Sequence, residues 1–218
     1  MKYEFENKKP EAFTASWEEQ YEVFNWAEFL IGVPMPIFLI TTYKENGLPN
    51  ACLHSWSCFS GDGEGHFCIM SGIPLKYGHT IDNIVRDKEF CINFPNKEIW
   101  ESCYKTIENN IYEIDEITEN GLTVEKAISI NAPKIKECFL NLECTLEWIK
   151  PLYEGSRYGV LCGRIKHIAM DEEYFDENKK GRYGESGYIL NIHSPMNPIT
   201  GEALESELGF VKYNRRQI

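Results

Sequence analysis

Between Asn50 and Ser57 the chain reads NACLHSWS, with small and polar side chains where a core strand would carry valine or isoleucine. Small residues let a ligand approach the backbone, and the Asn50 amide and the Ser55 and Ser57 hydroxyls offer directed hydrogen bonds. Further on, Lys76, His79 and Thr80 gather where a helix is expected to begin. Free N–H groups and the positive end of the helix dipole favour an anion at such a place. Each feature also has a plainer reading. The strand could be a solvated edge, although Trp56 and Phe59 argue against it, and a capping threonine beside a lysine is common without any ligand.

Cys52, His54, Cys58, His66 and Cys68 form a second candidate set. Cys52, His54 and Cys58 share one parity, so on a single strand they point to one face. Their spacing fits none of the paired-ligand patterns of structural zinc, so buried strand cysteine, acting as a small hydrophobe, is the preferred reading and no metal is expected. The sequence contains no GxSxG, no HExxH, and no GxGxxG after a strand. Nucleophile-elbow, zincin and dinucleotide-fold chemistry therefore have no local signature here, and no catalytic side chain is assigned.

The 218 residues, 43% hydrophobic and 26% charged, suit one globular domain over 1–218. The net charge of −12, from 34 acidic and 22 basic residues, argues against nucleic acid and against an anionic membrane as partners. No apolar run reaches the roughly 20 residues of a membrane helix. The start, MKYEFENKKPEAF, has neither an apolar core nor a secretory cleavage site, so a cytoplasmic protein with reduced thiols is expected.

The elements that must position these residues read as follows. Ser16 is placed to cap a helix running to about Leu30, ended by Gly32 and Pro34. PIFLITTY (36–43) is a buried strand, Lys44–Gly47 a turn with the Asn-Gly hairpin signal, and 48–60 its partner strand. A loop over 61–65 precedes a strand over 66–70. A helix entry and helix cover 76–86, with Thr80 as the expected cap, and a further strand covers 89–95. Residues 96–137 read as a helical insertion whose acids, Glu108, Glu113, Asp115, Glu116 and Glu119, form a solvated face. Strict alternation over 139–152 predicts a half-buried strand with Asn141, Glu143, Thr145 and Glu147 on the outer side. A long strand over 158–170 carries Gly159 and Gly163 at bulge or corner positions. Residues 171–175 read as an acidic turn, and the tail (176–218) holds a strand at 188–192.

This order resembles the flavin reductase-like proteins of the FMN-binding split-barrel superfamily, the flavoredoxin type in particular. The resemblance runs through Pro36–Tyr43, Gly47-Leu48-Pro49-Asn50-Ala51, Ser55–Ser60, His79-Thr80, Glu89-Phe90-Cys91-Ile92-Asn93 and the strands over 139–170, covering about 25–175. It implies an antiparallel split β-barrel and a homodimer with FMN near the subunit interface. Asn50, Ala51, Cys52, Ser55, Trp56 and Ser57 would face the isoalloxazine and ribityl groups, and Ser71, Lys76, His79 and Thr80 the phosphate. Many relatives carry an arginine near this helix start; here Lys76 offers a point charge instead of a bidentate fork. The resemblance implies an NAD(P)H:flavin oxidoreductase passing hydride to flavin N5. A flavoredoxin-like FMN electron carrier serving a protein redox partner, and a flavin-free binding barrel, stay open beside it, as do FMN against FAD and NADH against NADPH. Tyr183 and Tyr188 of the tail are candidates to cover the partner's flavin.

Overall fold

The computed structural model describes residues 2–76, 78–108 and 110–212. They fall into two compact units, one of residues up to Met35 with Leu190–Gly209, the other of Pro36–Ile189 with the residues from Phe210. In chain order the elements are α1 (Gln20–Val23), α2 (Trp26–Ile31), β1 (Met35–Pro36), β2 (Phe38–Tyr43), β3 (Pro49–His54), β4 (Ser57–Asp62) and β5 (Gly65–Pro74). Then come α3 (His79–Asp87), β6 (Glu89–Phe94), α4 (Trp100–Lys105), β7 (Val124–Lys126), β8 (Pro133–Ile135), β9 (Leu140–Pro151) and β10 (Tyr158–Met170). Helix α5 (Glu172–Phe175) and strands β11 (Ile189–Ile192) and β12 (Glu207–Phe210) complete the order. Strands β1, β11 and β12 make a small sheet of their own. The tail thus holds two strands where the sequence suggested one, and the acidic stretch after β10 is a short helix.

In the first unit the single expected helix is two. Phe24 is extended (φ −113°, ψ 135°), and Asn25 opens α2 with a capping box, accepting from Ala27 N at 2.9 Å while Glu28 accepts from Asn25 N. Ser16 does not cap: its N–H donates to Gln20 Oε1, and left-handed Glu19 precedes α1. Gly32, left-handed at φ 57°, ends α2 as the sequence indicates.

The second unit is built on a seven-stranded antiparallel sheet in the order β3-β2-β6-β9-β10-β5-β4. The run read as one strand over 48–60 is two, β3 and β4, and they occupy opposite edges. Only Ser55 and Trp56 connect them, so the sheet must roll until its edges approach each other, which makes it an antiparallel split β-barrel. The ring of Phe38 on β2 lies 6.0 Å from that of Phe59 on β4, although four strands separate them in the sheet order. Phe38, Met70, Phe90, Ile92, Leu142 and Leu161 fill the interior. The expected loop over 61–65 is instead a two-residue hairpin turn, Gly63-Glu64, between paired Asp62 and Gly65. β10 matches its expected limits, with register shifts at Gly159/Leu161 and Cys162/Gly163.

The insertion is only partly helical: after α4 it runs through a 3-10 turn at Thr118–Asn120 into the β7–β8 hairpin. It covers the outer face of β2, β6 and β9, which explains two departures from the sequence reading. Asn141 and Glu143 are buried, not solvated. Asn141 Nδ2 donates to Asn93 Oδ1 (2.9 Å), Asn93 Nδ2 to Thr41 Oγ1 (2.9 Å), and Thr41 Oγ1 to the Pro133 carbonyl. The Glu143 carboxylate accepts from the N–H groups of Ile128 and Ser129 and from Ser129 Oγ. Those hydrogen bonds hold its pKa below the usual carboxylate range against the opposing effect of burial, which is the larger single influence. Glu116, read as part of a solvated face, is buried against Lys44, and Asp115 Oδ1 caps Ile117 N and Thr118 N.

Gly163 sits where the barrel wall closes on Phe90. A Cβ there would clash with Phe90 Cζ and lie 3.0 Å from Cys68 Sγ. Gly163→Ala is therefore expected to cost about 1–3 kcal/mol of stability, read as a lower midpoint in urea unfolding. An unchanged midpoint would contradict this packing.

Candidate functional site

A pocket of about 300 Å³ opens between β3, the end of β5, α3 and the residues after α4. That volume sits at the lower end of the range of small-molecule sites, about 300–1,000 Å³. Alternation on β3 sends Asn50, Cys52 and His54 to one face, and all three line the pocket with Ala51. Ile40, Ile73, Pro74, Ile81 and Ile84 supply apolar walls. Gly78, His79 and Thr80 bring the start of α3, and Thr106, Ile107 and Asn110 close the side formed by the insertion.

The start of α3 is set by Gly78, which has no side chain to cap the helix; Thr80, the expected cap, lies inside the first turn. Its hydroxyl accepts from Asn50 Nδ2 at 2.9 Å and so ties β3 to α3 across the pocket. Deeper along the helix, Asn83 Nδ2 donates to Thr42 Oγ1 (3.0 Å) and fixes α3 on β2. His79 packs edge-on against Tyr112, with ring centroids 5.4 Å apart, and its Nδ1 is buried without a hydrogen-bond partner among the described residues. An uncapped helix start beside an orphaned buried nitrogen is poised for a polar or anionic group from outside the chain.

Two pocket side chains have shifted titrations. Burial pushes the Cys52 thiol up, against the lowering effect of its hydrogen bond with Thr80, so the group is a thiol at neutral pH. Burial likewise lowers His54 to about 4, partly offset by its contact with the Trp56 carbonyl, 3.2 Å from Nε2. Nε2 therefore carries the proton of a neutral imidazole, and the ring packs 5.6 Å from that of Phe38.

Of the ten residues singled out in the sequence, Asn50, Ala51, Cys52, His79 and Thr80 meet at this pocket. The other five lie outside its lining. Ser55 and Trp56 form the crossover between the sheet edges. Ser57 begins β4 and donates to the Ser55 carbonyl (3.2 Å), Ser71 N bonds the Trp56 carbonyl (2.9 Å), and Lys76 is exposed ahead of α3. His54 was legible from its parity with Asn50 and Cys52. Thr106, Ile107 and Asn110 were not, because no local pattern tells where an insertion returns. Cys58, grouped by parity with Cys52 and His54, lies on β4 at the other sheet edge. Among the described residues no group of three or more His, Cys, Asp or Glu could hold a metal ion. Tyr188 packs on its own barrel, 5.2 Å from both Phe94 and Phe139, while Tyr183 is exposed.

The flavin reductase like domain model matches residues 30–187. The chain belongs to the flavin reductase-like family. It is 28% identical over 155 residues to an uncharacterized protein of Aquifex aeolicus, covering 69% of this chain and 76% of that protein. Its fold is shared with nitrilotriacetate monooxygenase component B from Bacillus cereus, at a TM-score of 0.73 and 18% identity over 94% of this chain and 98% of the other. Flavoredoxin of Desulfovibrio vulgaris (Miyazaki F) aligns with a TM-score of 0.65 and 17% identity, over 84% and 90% of the two chains. Membership of the family implies that flavin is bound or used, and the pocket fits such a group: apolar walls for a planar ring, and an uncapped helix start for an anionic end.

Between pH 6.5 and 4 the unfolded chain protonates His54 while the folded chain does not, so this group's contribution to stability is complete above pH 6.5 and is lost as the pH falls towards 4. NMR titration of the imidazole should accordingly show no protonation between pH 8 and 5. A midpoint near 6.5 would contradict the burial of His54 at the pocket wall.

Proposed function

We propose that this chain is an FMN-binding, NAD(P)H-dependent flavin oxidoreductase. The pocket between β3 and α3 carries the reading, because it joins apolar walls to an uncapped helix start within the matched family domain. When bound, FMN supplies the hydride-accepting chemistry. The chain's own residues bind and orient. Ile40, Ile73, Ile81 and Ile84 exclude water from the ring. Asn50, Ala51 and Cys52 form the wall it lies against. The first turn of α3, with His79 and Thr80, receives the phosphate, and exposed Lys76 adds a screened positive charge nearby. Ser71, expected at the phosphate, and Ser55, Trp56 and Ser57, expected at the isoalloxazine and ribityl groups, lie outside the pocket lining, so on this reading they meet only parts of FMN that extend beyond it. A neutral His54 beside the site adds no competing charge.

The chain works, on this reading, as a cytoplasmic homodimer with the flavin near the subunit interface. The acidic balance of 34 to 22 charged residues favours a second reading, an FMN electron carrier steered to a basic protein redox partner without direct use of NAD(P)H. The visible spectrum of the FMN-loaded protein, recorded anaerobically before and after NADH and then NADPH, separates the two. Bleaching by either nucleotide is the expected result. A flavin band unmoved by both contradicts the oxidoreductase and leaves the carrier.

The phosphate assignment has its own test. Lys76→Ala combined with Thr80→Val is expected to weaken FMN binding about tenfold or more, through loss of a hydroxyl and a nearby charge. Unchanged affinity in a fluorescence titration would contradict that assignment.

A further inference from the structure

The pocket wall on β3 is held from outside the sheet. β3 is an edge strand, and edge strands leave every second N–H without a ladder partner. Lys44 N bonds the Leu48 carbonyl at the hairpin turn (2.8 Å), so alternation directs the N–H groups of Asn50, Cys52 and His54 towards β2, and those of Ala51 and Leu53 away from it. Pro49 has no N–H. The outward N–H of Ala51 donates to Glu116 Oε2 at 2.7 Å, so one buried carboxylate oxygen takes the place of the missing neighbour strand at the pocket. The other oxygen, Oε1, accepts from Lys44 Nζ at 2.9 Å. Lys44 Nζ also donates to the carbonyls of Ile111 (3.0 Å) and Ile114 (2.9 Å), so its three protons are all used. The segment anchored in this way carries Tyr112 against His79, and it follows directly on Ile107 and Asn110 of the pocket lining.

We infer that Glu116 is a positioning residue for flavin binding, setting the β3 wall through the Ala51 N–H while Lys44 balances its buried charge. This rests on the flavin reading above. A buried charge left alone is strongly destabilising, so single neutral variants would mix folding with binding. Two double variants separate them. Lys44→Met with Glu116→Gln removes both charges but keeps an acceptor for Ala51 N, and Lys44→Met with Glu116→Leu removes the acceptor as well. FMN is titrated against each, and amide hydrogen exchange is followed at Ala51. The Gln variant is expected to bind within about threefold of wild type with Ala51 protected. The Leu variant is expected to bind about tenfold more weakly, with Ala51 exchanging faster, the loss of one buried hydrogen bond at the wall.

Equal affinities in the two variants would overturn the positioning role, whether both are weakened or neither is. Wild-type protein that does not bind FMN would overturn the flavin reading instead, and Ala51 exchange would still report whether Glu116 holds the strand. Should either double variant fail to fold, Glu116→Asp decides. It keeps the charge for Lys44 and withdraws the second oxygen from Ala51, so weaker FMN binding in a folded protein supports the role and wild-type affinity refutes it.

Discussion

Two residues, Ser55 and Trp56, join strands that lie at opposite edges of a seven-stranded sheet. A connection that short forbids an open sheet, and the rest of the second unit follows from it. The sheet rolls, Phe38 meets Phe59 across the split, and glycine is required at position 163, where the wall presses on Phe90. The same roll leaves β3 as an edge with α3 beside it, and the space between them becomes the pocket. A continuous strand over 48–60 would have extended one edge and made no such space.

A second constraint is that β2, β6 and β9 are covered on both faces. The insertion lies on their outer side and is attached through buried polar groups. Thr41, Asn93 and Asn141 form a connected network, Glu143 receives the turn at Ile128 and Ser129, and Glu116 meets Lys44. Each of these groups is satisfied, which is what burial of polar side chains demands. The arrangement also links the insertion to the pocket, because Thr106, Ile107 and Asn110 arrive with it.

The strands were legible wherever one local signal sufficed: the Asn-Gly turn, the apolar run of β2, the full length of β10. Helix α3 was legible too, apart from its first residues, where Gly78 takes the place assigned to Thr80. What misled was information held in distant sequence. Asn141 and Glu143 alternate with apolar neighbours as an exposed face would, and only the insertion buries them. Lys44 looks like an ordinary turn residue and Glu116 like one acid among several; their pairing spans 72 positions. At the site, five residues chosen by type and family resemblance do converge, because β3 and the start of α3 are each local features. Ser55 and Trp56 do not line the pocket because the chain leaves the β3 edge there, a break that neither periodicity nor composition marks.

The pocket has an apolar interior, hydrogen-bonding groups at Asn50 and Thr80, a His79 nitrogen with no partner among the described residues and a helix start without a side-chain cap, all within a domain of the flavin reductase-like family. The proposed flavin site rests on these features. The most direct test is a crystal structure of the protein grown with FMN. The account predicts the isoalloxazine ring along Asn50–Cys52 and the phosphate at the first turn of α3. Flavin density elsewhere, with this pocket empty, would contradict it.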